Sequence, residues 1–285
     1  MQPNNYASVD RRAILQKAAV FASSAFALAS PQVVRAEDFE VGLLESRVTE
    51  DLMSKVPYSI ESNDIFYPSF FKGSWDVSSA TTAVEAPCGT AMFGGNSTFL
   101  NAQNEIGPER ALKYRARFIP SASVEQSPKV IADREYNVVE IAKAAMGENA
   151  VVDVPMALPN KFCCLLAPSG AGSMFTVDMI TVGRRQEYVS KDKFDCSELV
   201  RQIVASPPSA GAKRQPSLKE IEAVSLYTAG QKNSEGKVDE IKCVQRVATF
   251  LVPIQEDPIG FRLWQMSRGR PVDVRFYELT YTRRA

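Results

Sequence analysis

The sequence predicts a mainly β chain, an antiparallel sandwich or up-and-down barrel with one short helix and an N-terminal helical extension. Three observations carry this. Apolar and charged residues alternate with period two in one segment after another, the pattern of half-buried strands. Pro- and Gly-rich turns separate those segments at short intervals. Helical spacing is confined to two stretches, 39–56 and 137–146.

Residues 37–64 read as an N-terminal extension, with Val41, Leu44, Val48 and Leu52 at helical spacing. Pro57 to Phe71 is rich in turn residues and aromatics, and Lys72-Gly73-Ser74-Trp75-Asp76-Val77 opens the first strand. Leu112, Tyr114, Ala116 and Phe118 interleave with Lys113, Arg115 and Arg117, a strand with a basic outer face. A short strand follows at Val130 to Asp133. Over Asn137–Met146, Val138, Ile141, Ala142 and Ala145 share one helical face, and Gly147 is placed to end the helix. Strands are expected at 151–158, 162–167 and 174–182, with turns at Pro159-Asn160 and Pro168–Gly172. A low-complexity flexible loop spans 205–219, and 221–228, 241–252 and 272–282 are again β-rich. About eight or nine strands result, one domain over 65–285.

Composition narrows the functions. The chain of 285 residues carries 33 basic and 33 acidic side chains and no histidine. The balance disfavours a nucleic-acid binder, which is normally strongly basic. Without histidine, Ser-His-Asp and Cys-His nucleophile pairs and most zinc sites are excluded. The five cysteines, Cys88, Cys163, Cys164, Cys196 and Cys243, show no Cys-x-x-Cys spacing. They read either as small buried residues in strands or as one disulfide with leftover free thiols. No metal, cofactor or catalytic residue is assigned.

Residues 1–36 have the layout of a cleaved export signal. Arg11-Arg12 precedes an uncharged run from Ala18 to Val34, and Val34-Arg35-Ala36 ends it with a small residue at the cleavage point. The arginine pair points to the twin-arginine route. The run is short for a membrane span and is broken by Pro31. Without these residues the chain holds 29 basic and 32 acidic groups, so no stable membrane insertion and no strong attraction to an anionic membrane are expected.

Three patterns have both a chemical and a plainer reading. Lys113, Arg115 and Arg117 form a solvated face or a docking patch for an acidic partner. Asp133 and Glu135 share a side of a strand, so they are either an acid/base pair or, with Arg134 between them, an ion-pair cluster. Pro168-Ser169-Gly170-Ala171-Gly172-Ser173 is a hairpin turn and lacks the Lys of a phosphate loop. Asn96-Ser97-Thr98 fits a glycosylation acceptor that twin-arginine export would leave silent.

Phe70-x-x-Gly73-x-Trp75 resembles the Gly-x-Trp signature of lipocalin and calycin barrels. That resemblance implies a single closed up-and-down barrel in which Trp75 plugs one end and packs near a basic residue of the last strand. Arg270 and Arg283-Arg284 flank that strand; Gly73, Trp75 and Arg283 are assigned the structural role. A longer pattern covers most of residues 60–285. It comprises Phe66-Tyr67-Pro68-x-Phe70-Phe71-x-Gly73-x-Trp75-Asp76-Val77, Val130-Ile131-Ala132-Asp133-Arg134-x-Tyr136-Asn137 and Phe276-Tyr277-Glu278-Leu279-x-Tyr281. It resembles a family of uncharacterised thylakoid-lumen proteins, the DUF6816 group. The resemblance implies the thylakoid lumen of a chloroplast or, for a prokaryotic source, a thylakoid lumen or periplasm; it implies no activity.

Two functional expectations follow. In the first, an apolar small molecule (a pigment, tetrapyrrole or lipid) sits inside the barrel against Tyr67, Phe70, Phe71 and Trp75. In the second, the barrel is filled by side chains and the protein docks on a photosystem or another lumenal protein as an assembly or maintenance factor. An enzyme using carboxylates or tyrosine ranks third.

Overall fold

The computed structural model describes residues 42–50, 53, 56–121, 129–167, 174–205, 216–254 and 257–284. The expected export signal, the expected turn at 168–172 and most of the expected loop at 205–219 lie outside the described residues.

Ten strands form one wholly antiparallel sheet: β1 (Gly73–Glu85), β2 (Leu112–Pro120), β3 (Val130–Ala132), β4 (Val151–Leu158), β5 (Lys161–Leu166), β6 (Phe175–Glu187), β7 (Lys193–Ala205), β8 (Ser217–Ala229), β9 (Glu240–Leu251) and β10 (Asp273–Arg283). Their order is β3-β2-β1-β10-β9-β8-β7-β6-β5-β4. Every neighbour is a neighbour in sequence except β1 and β10, which pair from Trp75↔Arg283 to Glu85↔Val274. This is the order of an up-and-down ring that lacks its last ladder. Among the described residues no pairing joins β3 to β4, so the sheet curls into a half-barrel where a closed barrel was expected.

A helix stands in that gap. The helical run covers Arg134–Met146, one turn more than its spacing predicted, because Asp133 caps it by accepting a hydrogen bond from the Tyr136 amide at 3.3 Å. Its neighbours explain why the ring stays open. Asn137 bonds both backbone groups of Arg117 on β2, accepting from its amide at 2.7 Å and donating to its carbonyl at 3.1 Å. The Arg117 carbonyl also accepts from the Asp133 amide at 2.9 Å, so this side chain and the backbone just before the helix together substitute for a strand where β3 is too short to pair. Ile141 enters the aromatic core of β1, β2, β9 and β10, while Val138, Ala142 and Met146 pack on Phe162, Cys164, Val177 and Met179 of β5 and β6. One helix therefore touches both arms of the sheet.

Four more α-helices lie among the described residues: α1 (Leu43–Thr49), α2 (Thr90–Phe93), α3 (Asn96–Gln103) and, near the C-terminus, Pro258–Ser267, here α5, so that the gap helix is α4. Of the five, the sequence reading anticipated only α1 and α4. The N-terminal segment covers the outer face of β7 and β8. Leu44 and Val48 meet Val224, with Tyr58 and Leu226 beside them. Arg47 reaches Glu222 through two bonds of 2.6 and 2.7 Å, Arg246 approaches the same carboxylate at 3.4 Å, and Tyr58 donates to it at 2.8 Å. Glu222, Arg47 and Arg246 are all buried. This cover explains the one long strand that the sequence hid. β7 is buried on both faces, so Asp195 and Ser197 on its outer side and Glu198 and Gln202 on its inner side erase the usual alternation.

Candidate functional site

The inner face of the half-barrel brings together the residues assigned from the Gly-x-Trp pattern. Trp75 and Phe71 are buried completely, and Tyr67 and Phe70 pack against the same core. These rings are occupied by one another. The Tyr67 ring lies 4.9 Å from Phe71 and 4.8 Å from Phe118, Phe71 lies 5.0 Å from both Phe70 and Tyr227, and Trp75 meets Tyr281 edge-on at 6.5 Å.

Below this cluster the chain ends are tied. The Trp75 indole donates to the Phe71 carbonyl at 2.7 Å. The guanidinium of Arg283 lies 4.2 Å over the Trp75 ring and donates to the carbonyls of Val238, Lys72 and Phe70 at 2.6, 2.9 and 2.8 Å. Gly73 makes room for it: its φ is +124°, and a Cβ there would stand 2.9 Å from an Arg283 nitrogen. Arg270 lies elsewhere, bonded to the Pro87 carbonyl.

Between α4 and the concave sheet is a hollow of about 70 Å3. Of the four aromatics assigned to a ligand only Tyr67 lines it; Phe70, Phe71 and Trp75 do not. Its walls mix tyrosines and polar groups, among them Asn137, Glu198, Ser225 and Gln245, with apolar side chains such as Ile65, Phe118 and Ile141. Glu198 accepts from Arg184 at 2.5 Å, and Arg184 also holds the carbonyls of Ser62 and Pro159 at 2.9 and 3.0 Å. Arg134, the first residue of α4, forks onto Asp64 at 3.1 and 2.6 Å. The second oxygen of Glu198 and the side-chain oxygen of Gln245 have no protein partner among the described residues. A hollow of this size holds roughly five water molecules. Burial raises the carboxyl of Glu198, against the opposing pull of Arg184 and Arg134, and raises the phenols of Tyr67, Tyr114, Tyr227 and Tyr281 and the thiol of Cys196. None of these groups is made nucleophilic by its surroundings.

Arg184, Glu198, Ser225 and Gln245 escaped the sequence reading. The only signal for them is a polar residue at an inward position, which is visible once each strand's register is known.

A second, larger hollow of about 540 Å3 opens to solvent between α4 and the rim of β1, β2 and β10. Asp76, Lys113, Arg115, Glu140 and Lys143 line it, with Thr280 and Thr282. The basic face of β2 is largely neutralised here. Arg115 pairs with Glu140 at 2.7 Å, and Arg117 pairs with Asp133 at 2.6 Å and stacks 4.3 Å above the Tyr136 ring. Lys113 forms no ion pair among the described residues. Asp133 therefore serves as helix cap and ion-pair partner, and Arg134 as a buried anchor. Among the described residues no three metal-ligating side chains of the His, Cys, Asp or Glu types cluster. The five cysteines are free thiols; burial pushes Cys163 up to about 11 and Cys164 up to about 12.

Fold and site together define an open antiparallel half-barrel, closed at one end by a Trp–Arg stack and across its gap by a helix. Residues 59–285 match the family described as a domain of unknown function (DUF6816), and the chain belongs to that family. It matches no curated protein and no solved structure.

Proposed function

We propose that this chain works by protein–protein docking, as an assembly or maintenance factor of a photosynthetic complex in the thylakoid lumen, with no ligand carried inside. The observation that carries this reading is the small inner hollow. Cavities that enclose an organic ligand run to about 300–1,000 Å3 and are mostly apolar. The hollow here is about 70 Å3, far below that range, and its walls mix tyrosines and polar side chains with apolar ones such as Ile65, Phe118 and Ile141. A tetrapyrrole or lipid would enter only if α4 left the gap, uncoupling Ile141, Val138 and the Arg134–Asp64 pair from the sheet. The twin-arginine layout of residues 11–36 supports export to such a compartment. The Trp75–Arg283 stack with Gly73 supports the lipocalin-like comparison at the closed end alone.

The open groove beside α4 is the concave surface offered to a partner, with both signs of charge on its walls and hydroxyls on its floor. The test is native isolation under mild conditions from the source membranes, followed by an absorption spectrum, mass spectrometry of extracted small molecules and native electrophoresis. Comigration with a photosystem subcomplex, lost on Lys113→Glu with Lys143→Glu, supports docking. A stoichiometric pigment or lipid in the purified protein overturns it in favour of the carrier.

A further inference from the structure

The end of the sheet where β1 finishes and β10 begins carries a surface that the fold does not use. α5 is a ten-residue helix with good ends. Asp257 accepts from the Gly260 amide at 3.0 Å, Pro258 sits in the first turn, and Arg268 ends the helix in the left-handed region at φ 54°. Yet only Ser267 of the helix is buried. Ile259, Leu263 and Met266 follow i, i+4, i+7 spacing along one stripe, and Ile259 and Met266 are 75% and 60% exposed. Trp264 and Phe261 form a half-buried pair beside the stripe, their rings 5.4 Å apart. Leu100 on α3, in the excursion that leaves β1 at the same end, is 57% exposed.

Among the described residues, three arginines stand at the rim of this apolar face. Arg262 lies between Ile259 and Met266 on the helix, and Arg268 and Arg270 follow at its end; all three are exposed. None forms an ion pair among the described residues, and the Arg270 side chain donates to the Pro87 carbonyl at 2.7 Å. The Asp257 carboxylate, the acid next to the helix among the described residues, is engaged in capping it. A short amphipathic helix with exposed aliphatics, a tryptophan and arginines at its rim has the composition of an element lying in the headgroup region of a bilayer. The arginines match anionic lipid, and the tryptophan matches the interface.

We propose that α5 is a peripheral membrane anchor that seats this end of the half-barrel on an anionic bilayer surface. The attraction is local, so it does not depend on the chain's overall charge, and it does not depend on the docking reading above. The aliphatic side chains enter the headgroup boundary, and Arg262, Arg268 and Arg270 meet lipid phosphate or sulfonate.

The test is flotation of the full chain with vesicles of 30% phosphatidylglycerol in phosphatidylcholine, and with vesicles of phosphatidylcholine alone. Binding is expected only to the anionic vesicles, with a blue shift of Trp264 emission measured as the difference between wild type and Trp264→Phe. Loss of one arginine should weaken partition roughly fivefold, and loss of all three about a hundredfold. Ile259→Asp with Met266→Asp should abolish binding while leaving the thermal melt unchanged, since both side chains are exposed. Binding should also fall as salt rises from about 0.1 to 1 M, as the Debye length shrinks from about 10 to 3 Å. No flotation with anionic vesicles, equal binding to neutral ones, or binding indifferent to these substitutions overturns the proposal. So does a Trp264 shift that appears only with a protein partner, which would make the patch a protein interface.

Discussion

Replacing Arg283 with alanine tests whether the last strand closes the barrel end. The side chain makes three hydrogen bonds to carbonyls on separate segments, those of Val238, Lys72 and Phe70, and lies 4.2 Å over Trp75. Arg283 is half-buried, so each bond is worth about 1 kcal/mol and not the larger value of a fully buried charged bond. The cation–π contact adds about 0.5–1 kcal/mol. The expected loss is about 3–4 kcal/mol, or roughly 6–15 °C in melting temperature for a domain of this size. Urea unfolding followed by tryptophan emission measures it. Trp264→Phe leaves Trp75 as the only indole, so the signal comes from the ring that Arg283 covers. The midpoint should fall with an unchanged slope. Arg283→Lys should recover about a third, since one ammonium replaces a planar fork that reaches several carbonyls at once. A loss below about 1 kcal/mol for alanine, or a lysine variant equal to wild type, would refute the reasoning.

Three further outcomes follow from the same geometry. Glu222→Gln leaves Arg47 and Arg246 buried without their shared counter-charge and should cost about 3–5 kcal/mol, with limited proteolysis releasing the segment before residue 60 sooner than the sheet. Asn137→Ala leaves the Arg117 amide on β2 without its acceptor, while the carbonyl keeps the Asp133 amide, and should cost about 1–3 kcal/mol in urea unfolding. Burial, with the charges of Glu187 and Glu45, pushes the carboxyl of Asp195 up to about 7. Because its unfolded value is near 4, the folded chain holds this proton more tightly, so its contribution is full below about pH 4 and is lost as pH rises through 7. Asp195→Asn should therefore melt higher than wild type at pH 8 and alike at pH 4; equal melts at pH 8 would remove the argument.

The legible parts of this fold were those with one wet face. In β2, Tyr114, Ala116 and Phe118 point inward while Lys113, Arg115 and Arg117 stay outside, so alternation survives in the letters. β7 was illegible because α1 and Tyr58 cover its outer face, and polar residues then stand buried on both sides. α4 was readable from Val138, Ile141, Ala142 and Gly147. Its position in the gap was not, because it depends on β1 pairing with β10, a contact between the two ends of the sheet-forming chain. α5 went unread because Pro258, Gly260 and Arg262 interrupt an apolar stripe that no core demands. The expected loop at 205–219 also ran too far, since Ser217 to Lys219 already pair with β7 and β9. At the site, Trp75 and its neighbours could be named from a local pattern, whereas Glu198 and Gln245 take their meaning from three-dimensional register.

The open ring bears on what the interior is for. Closing ten strands by a β3–β4 ladder would leave the centre to be filled from the strands alone. With α4 in the gap, Ile141 and Val138 fill that centre from the side. The helix is also held at its first residue by Arg134 on Asp64, near the Arg184–Glu198 pair. Buried ion pairs contribute little net stability but make partial detachment costly, because breaking one leaves a charge stranded in low dielectric. Such a helix resists opening, which weighs against a carrier that must admit and release a large ligand. It suits a rigid body whose outer groove and exposed α5 face are the surfaces left to meet other molecules.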